Sequence, residues 1–250
     1  MKVALTSDLH YGYASNSTNK IIKMLKNLQK EEVDVLIVAG DSATVAQYQF
    51  KRCMETLREY LDMPIYYVRG NHDIWNGFHK KDKSHNLKSL DQIYNYHDKI
   101  CDPINIIHLD KGPIQLDSGR VELYGFDGWY GSDTPETNDF KWIPTEYKNQ
   151  PSNVYLANKT WQDFNKVLEL ANKSEAEKKI LVTHHNIYVD PKYGINSHNG
   201  VLQFYSKTRD TFDILCCGHT HEYQNYTDNN LLVLNSGSDY NNPKYLIFEV

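Results

Sequence analysis

The chain has 250 residues, 40% hydrophobic and 24% charged, a globular composition long enough to bury one sizeable core. Its net charge of -5 and pI near 6.1 exclude an overall basic surface, and with it a global attraction to nucleic acid or to an anionic membrane. No apolar run approaches the roughly 20 residues of a membrane-spanning helix.

The N-terminus enters an apolar strand at residues 3–5 and reaches Asp8 almost at once. That leaves no room for a cleavable leader and makes the cytoplasm the expected location. Further apolar runs at 33–39 and 65–68 read as buried strands. Between them, Ile21, Ile22, Leu25 and Leu28 form one stripe at helical spacing, and Phe50, Met54, Leu57 and Leu61 another. This alternation predicts parallel βαβ units, which bind ligands beyond the carboxyl ends of their strands. Asp8, Asp41 and Asn71 fall there.

Later strands are expected at 121–126, 180–183, 212–217, 231–234 and 245–250, the last three antiparallel. A long helix at about 155–172 presents Leu156, Trp161, Phe164, Leu168 and Ala171 to a sheet. Three polar connections, at about 74–99, 127–153 and 186–211, are long enough to be functional. With no repeat, low-complexity tract or Pro/Gly linker, a single domain over 1–250 is expected. Cys53, Cys101, Cys216 and Cys217 show no C-x-x-C spacing and read as buried reduced thiols.

The strand ends carry metal-ligand residue types. Asp8-Leu9-His10 sets a carboxylate and an imidazole two residues apart, on one side of an extended strand end. Gly40-Asp41 follows the second strand, and Gly70-Asn71-His72-Asp73 the third. There an amide oxygen can ligate without adding charge while His72 stays free for proton transfer. Thr183-His184 and Gly218-His219-Thr220-His221 close two later strands. Each block alone is ordinary turn chemistry. Together they hold five of the 11 histidines and point to a metal centre.

In this order the blocks resemble the motif set of the calcineurin-like metallophosphoesterase superfamily over nearly the whole chain. Asn235-Ser236-Gly237-Ser238 resembles the turn that many members place after the last histidine motif. The resemblance implies an α/β sandwich, two mixed β-sheets flanked by helices. It implies two divalent metal ions, one held by Asp8, His10, Asp41 and His221, the other by Asp41, Asn71, His184 and His219, with Asp41 as bridge. His72 is similar to the family's general acid. Two carboxylates against four positive charges leave a surplus that attracts phosphate and hydroxide, and paired metals activate water and clamp the entering and leaving oxygens. The implied reaction is hydrolysis of phosphate mono- or diesters by a metal-activated hydroxide, without a covalent intermediate. Mixed nitrogen and oxygen ligands suit Mn, Fe, Zn or Co. One departure concerns the acid: where many relatives carry an Asp or Asn that orients it, this chain has Thr44, a hydroxyl without charge. Asp73 is nearby but reads as a cap for the next segment.

The expected substrate is a phosphorylated small molecule or a nucleotide; a nuclease of the same fold is the alternative, and a non-catalytic scaffold ranks last because every ligand position is filled. The extended arginine-containing signature of eukaryotic-type Ser/Thr phosphatases is missing, which lowers a protein substrate. His79, Lys80, Lys81, Lys83 and His85 offer a phosphate-attracting rim, though a solvated lysine-rich loop is the plainer reading. Trp129, Tyr130, Trp142 and Tyr147 can stack on a base or pack their own loop. Arg69 reads equally as a phosphate contact or a structural ion pair. The oligomeric state is left open.

Overall fold

The computed structural model describes residues 1–75, 87, 89–129, 139–144, 146–147, 150–187 and 204–250. The first half runs β1 (Lys2–Thr6), α1 (Ser17–Leu28), β2 (Val35–Ala39), α2 (Gln47–Tyr60), β3 (Ile65–Val68), the single turn α3 (Asn71–Ile74), α4 (Leu90–Cys101) and β4 (Ile106–His108). There follow β5 (Ile114–Leu116), β6 (Val121–Gly125), the turn α5 (Asp139–Trp142), the two-residue pair β7 (Glu146–Tyr147) and β8 (Gln150–Pro151), and α6 (Ser152–Lys173). The last part is β9 (Lys178–Val182), α7 (Tyr205–Thr211), β10 (Ile214–Cys217), β11 (Tyr223–Asp228), β12 (Leu231–Ser236) and β13 (Leu246–Glu249).

Two mixed sheets result, ordered β13-β1-β2-β3-β4 and β11-β12-β10-β9-β6-β5. In the first, β1 to β4 are parallel and β13 is antiparallel to β1. In the second, β12, β10, β9 and β6 are parallel, with antiparallel β11 and β5 at the edges.

Strand alternation explains why the sheets stack. Val3, Leu5, Val35, Ile37 and Val68 of one sheet meet Leu123, Ile180, Val182, Cys216 and Leu234 of the other in a common core, because successive side chains point to opposite faces. The opposite set, Ala4, Leu36, Val38, Ile65 and Tyr67, packs on Ile21, Leu25, Leu28, Phe50, Met54 and Leu57 of α1 and α2. Leu181, Leu215 and Val233 likewise pack on Phe164 and Ala171 of α6. The strands are therefore apolar on both faces, as strands covered on both sides must be. The Gln49 side chain accepts the Val45 and Ala46 amides at 3.0 Å, so it satisfies the start of α2, where Ala46 offers no side-chain cap.

Three expectations need correction. The strands at 212–217 and 231–234 are parallel partners, not antiparallel ones, and the last strand joins the other sheet. The cause is β11, a polar edge strand hidden from hydrophobic periodicity: its hairpin with β12 reverses the chain once more. The connection at 74–99 is shorter than expected, because α4 begins at Leu90 with the Ser89 side chain accepting the Gln92 amide. The other two connections likewise end in α6 and α7. Cys53, Cys101, Cys216 and Cys217 are free and buried. Among the described residues, no helix is long and apolar enough to cross a membrane.

Candidate metal centre

The parallel strands of both sheets deliver their carboxyl ends to one place. β1 leads to Asp8 and His10, β2 to Asp41, β3 to Asn71 and His72, β9 to His184, and β10 to His219 and His221. Hydrogen bonds tie these ends together across the sheets: His184 Nδ1 donates to the Ala39 carbonyl at 2.8 Å, and the His219 amide reaches Asp8 at 3.1 Å. Two glycines make room. A Cβ on Gly70 would lie 2.0 Å from Asp41 Oδ1 and 2.5 Å from the Asp41 amide nitrogen. Gly40 has φ +83°, and a Cβ there would meet His184 Nδ1 at 2.4 Å.

The convergence does not come from the strand alternation that the D-x-H and H-x-H spacings suggest. β1 ends at Thr6 and β10 at Cys217, and Asp8, His10, Asp41, His219 and His221 all have φ between 43° and 69°. Left-handed backbone costs about 1–2 kcal/mol per non-glycine residue, so the five together hold several kcal/mol of strain at this one spot. Such strain clusters where a ligand or a reaction requires it. In both pairs, kinks at positions i and i+2 turn the side chains inward, where an extended ladder would have ended.

The ligand atoms are close. His10 Nε2 and His221 Nε2 face each other at 3.3 Å, with Asp8 Oδ1 3.4 Å from the second and Asp41 Oδ2 3.8 Å from the first. His184 Nε2 lies 3.3 Å from Asp41 Oδ1 and 3.2 Å from Asn71 Oδ1. Asp8, His10 and His221 offer donor atoms within 4.8 Å of one another, as do His10, Asp41 and His72, and Asp8, Asp41 and His184. His219 stands with its ring 5.2 Å from that of His184.

The outer atoms of several of these side chains are held elsewhere. His221 Nδ1 meets Asp239 at 2.9 Å, His184 Nδ1 meets Ala39, and Asn71 Nδ2 donates to Asp139 at 3.0 Å. Such partners hold each Nδ1 and the Asn71 amide nitrogen outward and turn the Nε2 atoms and the amide oxygen inward. Burial, with Asp41 opposing and His72 and His221 adding to it, pushes His10 down to about 3. Burial and His184 push His219 down to about 3 as well. Both are thus neutral imidazoles, the ligand form. His184 is pushed up to about 10: burial opposes its charge, but Asp41 and Asp8 overcome it. Asp41 stays well below the usual carboxylate range against its own burial, because His184, His72 and His10 surround it. Two buried carboxylates demand positive charge among nitrogen donors that face one another, and this donor set fits divalent cations.

His72 sits at the margin of this cluster. Its Nε2 is 3.9 Å from Asp41 Oδ2 and 3.3 Å from the Tyr240 hydroxyl, while Nδ1 is held by the Thr44 main-chain carbonyl. The Thr44 hydroxyl is spent on the His10 and Tyr11 carbonyls, at 2.9 and 3.1 Å, so the main chain does the orienting. Asp73 does not substitute: its two oxygens accept the Ala43 and Gly70 amides at 3.0 and 2.9 Å. Burial and Asp41 push its carboxyl up to about 7.

Sequence reasoning missed Asp139, Trp75, Asp239 and Tyr240. The last two follow directly on the Asn235-Ser236-Gly237-Ser238 turn, the only signal that pointed to them; for Asp139 and Trp75 there was none. Arg69 is a structural cation, buried between Asp127 at 3.2 Å and Asp110 at 3.5 Å and lying over the Tyr94 ring. Trp129 is buried in a cluster with Trp75, Ile93 and Leu156, whereas Trp142 is exposed. His79, Lys80, Lys81, Lys83, His85, Tyr130 and the Tyr147 side chain lie outside what the structure describes.

The fold is shared with phosphopantetheinyl hydrolase from Mycobacterium tuberculosis, with a TM-score of 0.70 and 17% identity over 96% of this chain and 90% of that one. A dimetal phosphatase from Danio rerio matches with a TM-score of 0.59 and 13% identity, over 94% of this chain and 86% of that one. The NAD nucleotidase of Haemophilus influenzae matches at 0.55 and 12%, over all of this chain but only 47% of its own length. No curated protein matches the sequence. The model of the calcineurin-like phosphoesterase family matches residues 1–223, a span that includes every strand end described above, and the chain therefore belongs to the calcineurin-like phosphoesterase family and is a phosphoric ester hydrolase.

Proposed function

We propose that the chain, as a single domain over residues 1–250, hydrolyses phosphate mono- or diesters of a small molecule or nucleotide at a centre of two divalent metal ions. One set of ligands is Asp8, His10, Asp41 and His221; the other is Asp41, Asn71, His184 and His219, with Asp41 shared. The observation that carries this reading is the convergence of buried carboxylate oxygens and imidazole Nε2 atoms at 3.3 to 3.8 Å, with no Lys or Arg side chain paired to them among the described residues. Cations bound there supply charge that orients the phosphate and lowers the pKa of water; mixed nitrogen and oxygen donors suit Mn, Fe, Zn or Co.

The protein's own groups do the rest. His72 carries the proton for the leaving oxygen on Nε2, with the Thr44 carbonyl holding Nδ1; an acid so placed contributes about 10²- to 10⁴-fold. Asp239 and Asp139 keep His221 and Asn71 turned inward. Two of the structural relatives, named a phosphopantetheinyl hydrolase and an NAD nucleotidase, favour a small-molecule or nucleotide substrate.

The deciding experiment removes metal with a chelator, restores manganese, and follows aryl phosphate monoesters, aryl diesters and single-stranded DNA. Manganese-dependent turnover of one or both aryl esters is expected. Turnover of DNA alone would replace the small-molecule reading by a nuclease, and inertness toward all three with metal bound would leave a scaffold.

A further inference from the structure

Aromatic rings wall His72 on two flanks. On one, Tyr240 stacks on His10 with centroids 4.1 Å apart and planes 15° apart, its hydroxyl 3.3 Å from His72 Nε2. Tyr13, from the turn after β1, lies against Tyr240 at 4.7 Å. On the other flank Trp75 stacks on His72 itself at 3.6 Å and 29°, and Trp142 of α5 lies nearly parallel to Trp75 at 6.3 Å. This flank is anchored from below: Asp139, at the start of α5, accepts both the Trp75 indole N–H at 2.7 Å and the Asn71 amide.

The distribution of exposed rings gives this arrangement meaning. Among the described residues four large hydrophobic side chains are exposed: Tyr13 at 54%, Trp142 at 37%, Tyr240 at 37% and Tyr223 at 62%. Scattered single rings need no explanation. Here three of the four belong to the two rows of rings that flank His72, next to the metal-ligand cluster: Tyr240 touches His72 Nε2, Tyr13 lies behind Tyr240, and Trp142 lies behind Trp75. Rigid rings with a polar tip lose little entropy when a planar partner covers them.

We propose that the His72 side of the centre is an aromatic subsite that takes a planar π-system in the leaving group of the ester, a nucleobase or aryl ring, with the Tyr240 hydroxyl donating to an ester oxygen beside His72. The inference rests on the hydrolytic reading above and narrows its substrate class. Tyr13 and Trp142 supply the stacking faces. Tyr240 supplies both a ring and a donor, and its ring is held in register by His10.

The test uses two esters that differ only by the base. On the manganese-loaded protein, calorimetry compares non-hydrolysable phosphonate analogues of adenosine 5'-monophosphate and ribose 5-phosphate, and turnover of the parent esters is measured in parallel. Stacking predicts that the base-bearing analogue binds about 10-fold or more tightly. Tyr13→Ala and Trp142→Ala should each shrink that ratio several-fold. Tyr240→Phe, which keeps the ring, should keep the ratio while lowering kcat more than it raises KM. Equal affinities in the wild type, or a ratio that none of Tyr13→Ala, Trp142→Ala and Tyr240→Ala changes, would overturn the subsite. A binding preference without turnover would retain the subsite and remove the hydrolytic reading, and turnover without preference would do the reverse.

Discussion

Single side chains in the centre have separable jobs. Asp41 sends Oδ1 toward His184 and Oδ2 toward His10, so it touches both proposed ligand sets. Asp41→Asn should therefore weaken both metals together, and elemental analysis that finds wild-type manganese content would refute the bridge. His72 stands 3.9 Å from the same carboxylate but has its other nitrogen held by Thr44, a geometry that suits an acid better than a ligand. His72→Ala should keep the metal and slow hydrolysis about 10²- to 10⁴-fold, most for esters with poor leaving groups. Loss of metal in that variant would make His72 a ligand instead, and an equal rate across leaving groups would take it out of proton transfer. The departure at Thr44 leaves the orienting contact to the main chain. The carbonyl of Thr44 holds Nδ1 without adding a negative charge beside it.

At the scale of elements, the site depends on how closely the ends of β2 and β3 approach. Gly70 has ordinary extended backbone, so its constraint is steric alone: its Cβ position is filled by the Asp41 carboxylate and amide. Gly70→Ala should force these two strand ends apart. Overpacking of this kind costs about 1–3 kcal/mol. We expect a lowered melting temperature and at least about 10-fold weaker manganese binding by calorimetry, since 1.4 kcal/mol is a factor of ten. A variant that binds manganese like the wild type would mean that the strand-end contact does not set ligand geometry.

Across the whole molecule, the two sheets are joined by a second buried polar network next to the centre. Arg69, at the end of β3, donates through its amide and its guanidinium to Asp127, at the end of β6. His108 of β4 meets the same carboxylate at 2.7 Å and also pairs with Asp110. Burial and Arg69 oppose protonation of His108, yet Asp127 and Asp110 prevail and raise its pKa above the ordinary histidine value. Burial is likewise overcome at Asp127, which His108 and Arg69 hold far below the usual range. A raised histidine stabilises fully below its unfolded value of about 6.5 and loses that contribution as pH rises through the folded value. A depressed carboxylate stabilises fully above about 3.9 and loses its contribution in acid. The pairing is thus complete between about pH 4 and 6.5. The stability advantage of the wild type over His108→Gln, read from urea midpoints, should be largest near pH 6 and shrink toward pH 9. A difference that stays constant across that range would show that His108 acts as a neutral hydrogen-bonding group.

Asp8, His10, Asp41, Asn71, His184, His219 and His221 could be picked out before any fold was known, because metal-ligand residue types recur where apolar runs stop. The parallel βαβ order of the first half was legible for the same reason: period and chain order are local properties. β11 escaped because a polar edge strand carries no apolar period, and with it went the true direction of β12. The left-handed kinks at Asp8, His10, His219 and His221, the carbonyl of Thr44 behind His72, and the roles of Asp139, Asp239 and Tyr240 are matters of approach between segments distant in sequence. Residue types and their spacing follow from the chain alone. Which side-chain atoms face inward, and which rings flank His72, is decided only when two sheets bring their carboxyl ends to the same few ångströms.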